Sequence, residues 1–439
     1  MFCCASTGST GCGGHCGEAR PRAVTAAPLT RTFSRQRSPG VVHLPNEVHS
    51  NGMGSGPSTP WLAADFFLAG LGTVLLGPLL PSVAHAWNLT DAQSGLLLLA
   101  KFVGAFLGGI SVPRRLGLGI FVGSFLAFAG FGAFGLSHSL LPGCIALFVS
   151  GVGLGQIIAS TNILTGRRFR AHTGSALASL NFFWSLGAVI TGVLVAAFIP
   201  RYGLRNPLLY FAAFYLLSGL GGVARHSSSS GEGESESEPT RSIAASSIAF
   251  FALLLFLYGG LETCLTAWIT TFTVRFSDLR LLGGQSGVVL LWASLTGGRA
   301  LASIALRHAS ELTVQRTGLL LASAAIAVLS WVHHGWTLSS CCILLGLGIA
   351  PFFPATFALL MRQHPSARIA GFILAVSGLG AALFPWMMGV LSTQTGSLRI
   401  AMVVPWTLAI LLLLLSLVFR STASFSTSRK GESSVKIGV

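Results

Sequence analysis

Three ionisable side chains stand deep inside long apolar runs: Lys101, Glu262 and Arg299. Glu262 is the one acid near the middle of such a run. At 1.5 Å per helical residue it lies roughly 24 Å from the start of its run, with Lys101 and Arg299 roughly 18 and 12 Å from the nearer ends of theirs. A carboxyl removed from water favours its neutral form. Glu262 can therefore take up a proton on one side and release it on the other, or accept hydroxyl groups from a bound molecule. Two other readings compete: a permanent ion pair with Lys101 or Arg299, and a solvated position near the rim. Tyr258 precedes Glu262 by one turn on the same helical face. Asp65 lies within about one turn of the end of its run, where water reaches it.

Amides and indoles form a second group. Asn181 and Trp184 share a face, with Ser185 beside them. An amide beside an aromatic platform suits a sugar, whose hydroxyls need hydrogen bonds and whose C–H face stacks on rings. The same asparagine can instead join helices, worth about 1 kcal/mol in an apolar bundle. Gln156, Ser160 and Asn162 cluster in another run, the first two at i,i+4. Trp292 and Trp386 are candidates for the same kind of site, though tryptophans at such positions more often pack.

No catalytic constellation accompanies them. The chain contains no G-x-S-x-G, Walker A or H-E-x-x-H pattern. Cys3, Cys4, Cys12 and Cys16 lie near the N-terminus with His15 but lack paired C-x-x-C spacing. Cys144, Cys264, Cys341 and Cys342 lie inside apolar runs, where cysteine acts as a small filler. No enzyme, metal or cofactor is expected, and energy for any vectorial work must come from an ion gradient or from the solute itself.

The elements that hold these residues follow from composition. Of 439 residues, 52% are hydrophobic and 9% charged, and the mean hydropathy is +0.73. Soluble domains are about 25% charged, so a water-soluble globule, a disordered chain and a secreted disulfide scaffold are all excluded. Membrane β-barrels alternate polar and apolar residues, whereas this chain stays apolar for some twenty residues at a time, enough for a helix to cross a bilayer. Twelve such runs are predicted, at 61–85, 90–112, 116–137, 141–164, 173–199, 206–224, 246–273, 284–306, 316–332, 336–361, 369–392 and 398–420. The net charge of +15 does not point to nucleic acid, because the arginines are scattered between the runs. One set of loops and tails carries 20 Lys and Arg and the other set five. The positive-inside rule then places both termini in the cytoplasm of a cell (inner) membrane.

Residues 225–243, rich in Ser, Gly and Glu, interrupt the runs six and six and read as a solvated linker. This gives an N-terminal half at 61–224, a C-terminal half at 244–420 and a cytoplasmic tail at 421–439. Residues 1–60 are Arg- and Ser-rich and nearly free of acids. They fit a presequence, or upstream sequence before a start at Met53. The halves carry a parallel repeat. Phe67-Leu68-Ala69-Gly70 matches Phe256-Leu257-Tyr258-Gly259, and Gly108-Gly109 matches Gly297-Gly298, both at an offset of 189. Gly153-Leu154-Gly155 matches Gly346-Leu347-Gly348, and Leu186-Gly187-Ala188 matches Leu379-Gly380-Ala381, both at 193.

This six-plus-six arrangement resembles the major facilitator superfamily over residues 61–420. Its signature between the second and third spans is met by Gly108-Gly109 and Arg114-Arg115, while the usual Asp is absent. The stretches Gly77–Pro81, Leu89–Gly95 and Tyr258–Trp268 are similar to fucose-permease-like sugar porters. The resemblance implies an all-α membrane protein with twelve helices in two parallel-repeat halves. It also implies a monomeric secondary transporter whose site lies between the halves. The expected partners are a small polar solute (a sugar first), protons and the bilayer. The prolines of Pro351-Phe-Phe-Pro354 and of Phe384-Pro385 are expected to break their helices. The alternatives are an exporter of amphiphilic compounds and a non-transporting membrane sensor.

Overall fold

The computed structural model describes residues 59–169, 173–226, 244–278, 281–305, 308–363 and 367–432. Residues 1–58, almost all of the 225–243 linker and the last seven residues lie outside that set.

Fifteen α-helices follow one another among the described residues. The first half comprises α1 (Thr59–Val74), α2 (Leu76–Trp87), α3 (Asp91–Ile110), α4 (Leu116–Leu136), α5 (Leu140–Arg168), α6 (Thr173–Tyr202) and α7 (Arg205–His226). The second comprises α8 (Ala245–Phe276), α9 (Ser286–Ala305), α10 (Glu311–Leu329), α11 (Gly335–Ile349), α12 (Phe352–Met361), α13 (Ala367–Thr395), α14 (Leu398–Ala401) and α15 (Val403–Glu432). Each of the twelve expected runs is helical. Among the described residues, ten spans are long and apolar enough to cross a membrane, with α1 and α2 counted as one span and α11 and α12 as another. The two expected spans outside those ten are α7, with Arg205 and Arg225 near its ends, and α9, with Arg299 in its interior. The 336–361 run breaks at Ala350-Pro351, as its prolines imply. The 369–392 run does not break, since α13 continues through Pro385. The expected boundary at 420 is not a helix end either, because α15 runs on to Glu432.

The packing follows the repeat. In the first half α3 packs on α5, α4 on α5 and α7, and α1 on α6. Six spans later α9 packs on α11, α10 on α11 and α15, and α8 on α13. The halves meet through two equivalent seams, α3 with α13 and α6 with α9, and through α2 with α8.

Glycines carry the repeat into atomic contact, because only a residue without Cβ lets one backbone lie on another. Gly187 lies on the Phe67 carbonyl and Gly70 on the Trp184 carbonyl. At equivalent points Gly380 lies on the Phe256 carbonyl and Gly259 on the Ser377 carbonyl. In α5 and α11 the structure corrects the expected register. Gly153 meets Gly123 and Ala127 of α4, and its counterpart Gly348 meets Gly318 and Ala322 of α10. Gly151 meets Lys101 and Ala105 of α3, as Gly346 meets Leu291 and Leu295 of α9. The offset there is 195 rather than 193. A slip of two residues turns a helix by about 200° and exchanges the neighbours each glycine meets.

Candidate functional site

The two halves enclose a cavity of about 290 Å³ where α2 meets α8. Gly77 of α2 lies on the Thr266 carbonyl of α8. These two residues are themselves related by the offset of 189, which puts the contact on the pseudo-twofold axis. Both line the cavity. From there the cavity runs between α3, α5, α8 and α13 as far as Gly109 and Gly371, near the helix ends that carry the Arg114–Arg115 loop. We call this end the basic face.

The opposite end is closed. Asp91 opens α3 behind a capping box made by Thr90 and Gln93. Its carboxylate accepts both Nη1 and Nη2 of Arg275 from α8, each at 2.6 Å, and Oγ of Ser392 from α13 at 2.6 Å. The Ala92 amide donates to Thr393 Oγ1 at 2.8 Å, and Gln285 Nε2 donates to the Pro78 carbonyl at 2.9 Å. Each of these bonds joins the two halves.

Glu262 lines the cavity, and its Oε1 lies 3.2 Å from Arg299 Nη2. Arg299 Nη1 donates to Ser185 Oγ of α6 at 2.9 Å, so one guanidinium ties an acid of its own half to a hydroxyl of the other. Of the ion pairs considered from sequence, Glu262 forms the one with Arg299. The Glu262 and Arg299 side chains are 18% and 20% exposed, so water reaches both. Lys101 also lines the cavity but is only 1% exposed. Its Nζ donates to the Gly72 and Thr73 carbonyls at 2.8 and 2.7 Å. Those carbonyls lie at the end of α1, where α1 gives way to α2 just before Pro78.

The remaining candidates divide. Asn162, Trp184 and Trp292 line the cavity. Trp184 and Trp292 meet edge to face across the α6–α9 seam, with ring centroids 5.2 Å apart. Tyr258 does not line it. Its ring stacks on Phe352 at 5.0 Å, its hydroxyl donates to the Ile349 carbonyl at 3.4 Å, and it stands behind Glu262 and Arg299. Gln156 points toward Ser111 and Ser160 toward Gly119, both within the first half. Asn181 returns its amide to the Leu177 carbonyl and lies off the wall. Trp386 packs on Gly95 at the closed end. Asp65 is buried rather than wet: Ser218 of α7 donates to its Oδ1, and its Oδ2 has no partner among the described residues.

Sequence reasoning missed Thr73, Thr263, Thr266 and Ser377 on the wall, together with Phe102 and Phe106. Nothing in their local pattern marks them, since threonines and serines recur throughout the helices. Three of these hydroxyls are engaged by their own helices: Thr73 with the Ala69 carbonyl, Thr266 with that of Glu262 and Ser377 with that of Leu374. The wall is therefore mostly apolar, with few free hydrogen-bonding groups.

A family model described as Major Facilitator Superfamily matches residues 63–385. The chain belongs to the Major Facilitator Superfamily. Its relatives include the cyanate transport protein CynX of Escherichia coli, 26% identical over 341 residues, which cover 73% of this chain and 86% of that protein. The glucose/mannose transporter GlcP of Bacillus subtilis is 21% identical over 82% of this chain and 94% of its own length. The 4-hydroxybenzoate transporter PcaK of Pseudomonas putida is 28% identical, but the match spans only 35% of this chain and 36% of PcaK. Among solved structures, FucP in its outward conformation aligns with a TM-score of 0.57 at 17% identity, covering 82% of this chain and 97% of that one. The nucleoside transporter NupG aligns with a TM-score of 0.67 at 12% identity, covering 82% and 99%. The superfamily fold agrees with the all-α, two-half architecture expected from sequence, and a family of transporters agrees with a chain that is not an enzyme.

Proposed function

We propose that this protein is a secondary active transporter that moves a small solute by alternating access, coupled to protons through Glu262. The observation that carries this reading is the cavity on the pseudo-axis between the halves. It is sealed at Asp91, extended toward the basic face, and has Glu262 on its wall. Such a site reaches each side in turn as the halves rock about the α3–α13 and α6–α9 seams. The charge bias of the loops makes the basic face cytoplasmic, so this conformation is open inward. One chain builds the whole cavity, which suits a monomer in the cell membrane.

A volume of about 290 Å³ stands at the lower end of the roughly 300–1,000 Å³ common for ligand sites, so the cargo is small. A sugar is supported by the names of GlcP and of the fucose:proton symporter FucP, and by the indole and amide of Trp184 and Asn162. The apolar wall supports an organic solute with a small polar end, in the manner of the 4-hydroxybenzoate that PcaK is named for. Uptake of labelled glucose, fucose and 4-hydroxybenzoate into proteoliposomes, with and without an acid-outside gradient, tests the reading. Gradient-driven accumulation of one of them, lost in Glu262→Gln, is expected. Accumulation indifferent to both the gradient and the substitution would remove proton coupling through Glu262.

A further inference from the structure

The first half holds a buried acid that takes no part in the cavity. Asp65 of α1 is 2% exposed, Ser218 of α7 donates to its Oδ1, and its Oδ2 has no partner among the described residues. Nor does any Lys, Arg or His stand within ion-pair distance of it among those residues. Helical register gives its surroundings. Ala69 of α1, Ala127 of α4, Ile157 of α5 and Tyr215 of α7 pack in one apolar core. About one turn from each of them toward the basic face come Asp65, Ser124, Thr161 and Ser218. Ser124 lies against Gly219, the neighbour of Ser218. The core of this half therefore ends in a polar layer of one carboxyl and three hydroxyls, none of them on the cavity wall. Ser124 and Thr161 are fully buried, and neither hydroxyl has a partner among the described residues. Elsewhere in the bundle Thr73, Thr191, Thr273 and Ser323 return their hydroxyls to their own helices.

A buried carboxylate is paired or coordinates a metal ion, and buried oxygens without partners call for an occupant. We infer that Asp65, Ser124 and Thr161 hold a small monovalent cation, sodium, inside the first half. Carboxylate and hydroxyl oxygens are the ligands of a hard ion. One carboxylate balances one positive charge, whereas a divalent ion would leave a net charge buried. A proton on Oδ2 would serve one acceptor and leave the other hydroxyl unmatched, while a cation draws on all three oxygens at once. Trp61 Nε1, one turn nearer the basic face, is also buried without a partner, but as a donor it is no ligand. A water between it and Asp65 is the competing occupant. Every proposed ligand belongs to the same half, so rocking of the halves leaves the site intact. The ion is resident, ties α1 to α4 and α5 beside the Ser218 bond to α7, and is not carried. It is separate from Glu262, and its presence does not depend on the transport reading.

Thermal unfolding of the full-length purified protein in detergent tests this, in sodium chloride against choline chloride at equal ionic strength and pH 8. Sodium binding only the folded state is expected to raise the midpoint by at least about 2 °C at saturation, with the rise growing as the logarithm of its concentration. Asp65→Asn, which keeps the volume, should abolish the response, and Thr161→Val should weaken it. Glu262→Gln should keep it in full. Should Asp65→Asn fail to fold, the wild-type salt series and Thr161→Val still decide. Equal midpoints in sodium and choline would overturn the inference and leave a water or a proton as the occupant. A sodium response that survives Asp65→Asn, or that disappears in Glu262→Gln, would place the ion elsewhere and overturn it as well. Radioactive sodium entering proteoliposomes faster than protein-free vesicles would overturn the resident role. None of these outcomes bears on proton coupling through Glu262, which the uptake assay above decides separately.

Discussion

Lys101 and Arg299 are both cations in an apolar bundle, yet their partners give them different work. Lys101 holds the two carbonyls where α1 gives way to α2. Lys101→Met leaves those acceptors unpaired, which costs about 1–3 kcal/mol. A lower thermal midpoint in detergent should show it, and Lys101→Gln, which keeps a donor, should recover part. Arg299 is held by charge. Arg299→Gln strands Glu262 as an uncompensated carboxylate, a loss of about 3–5 kcal/mol for a fully buried pair. At 18–20% exposure the lower end applies. A neutral Glu262 needs no counter-charge, so the thermal midpoint of Arg299→Gln should recover as pH falls. A midpoint that stays flat or drops further would show that Glu262 remains ionised or does not depend on Arg299.

Between helices, glycine sets the separation. Gly151 and Gly155 of α5 lie on the Lys101 and Ala105 carbonyls of α3. A valine at Gly151 must push the two backbones apart. Overpacking of this kind costs about 1–3 kcal/mol, and loss of monodisperse protein on size-exclusion chromatography would report it. Gly297 has open space around a would-be Cβ. Gly297→Ala should be neutral, or more stable by up to about 1 kcal/mol through helix propensity. The repeat was legible in sequence where glycine contacts came in distinctive strings, as at Phe67–Gly70 and Leu186–Ala188. It was misread at Gly153–Gly155 because Gly-x-Gly also occurs at Gly151–Gly153, and only the neighbouring helix decides which pair is equivalent.

For the molecule as a whole, the closed end is a set of bonds that must break for the cavity to open there. Asp91 is their centre, joined to Arg275 and Ser392 of the other half. Asp91→Asn keeps the volume and removes the charge-assisted bonds, which are worth roughly 1.5–3 kcal/mol each when well formed and less here because Arg275 is 40% exposed. The population open at that face should rise. A cysteine at Thr73 on the cavity wall, labelled by a membrane-impermeant maleimide from the Asp91 side, should react several-fold faster in the Asp91→Asn background. Unchanged labelling would mean that apolar contacts, not this latch, hold the end shut.

Sequence by itself settled the solvent, the helical class, the two-half repeat and the handful of charges at depth. Each of these depends on composition or on spacing along one chain. It could not choose Arg299 over Lys101 as the partner of Glu262. Nor could it put Asn162, Trp184 and Trp292 on the cavity wall while leaving Tyr258, Gln156 and Asn181 off it. Helices such as α4, α6 and α8 are apolar nearly all round. No polar stripe tells a lipid-facing side from a cavity-facing one. One residue of register turns a side chain by about 100°, so its neighbour is decided only when the helices pack. The same packing buried Asp65 against Ser218, where position along the chain alone had suggested water.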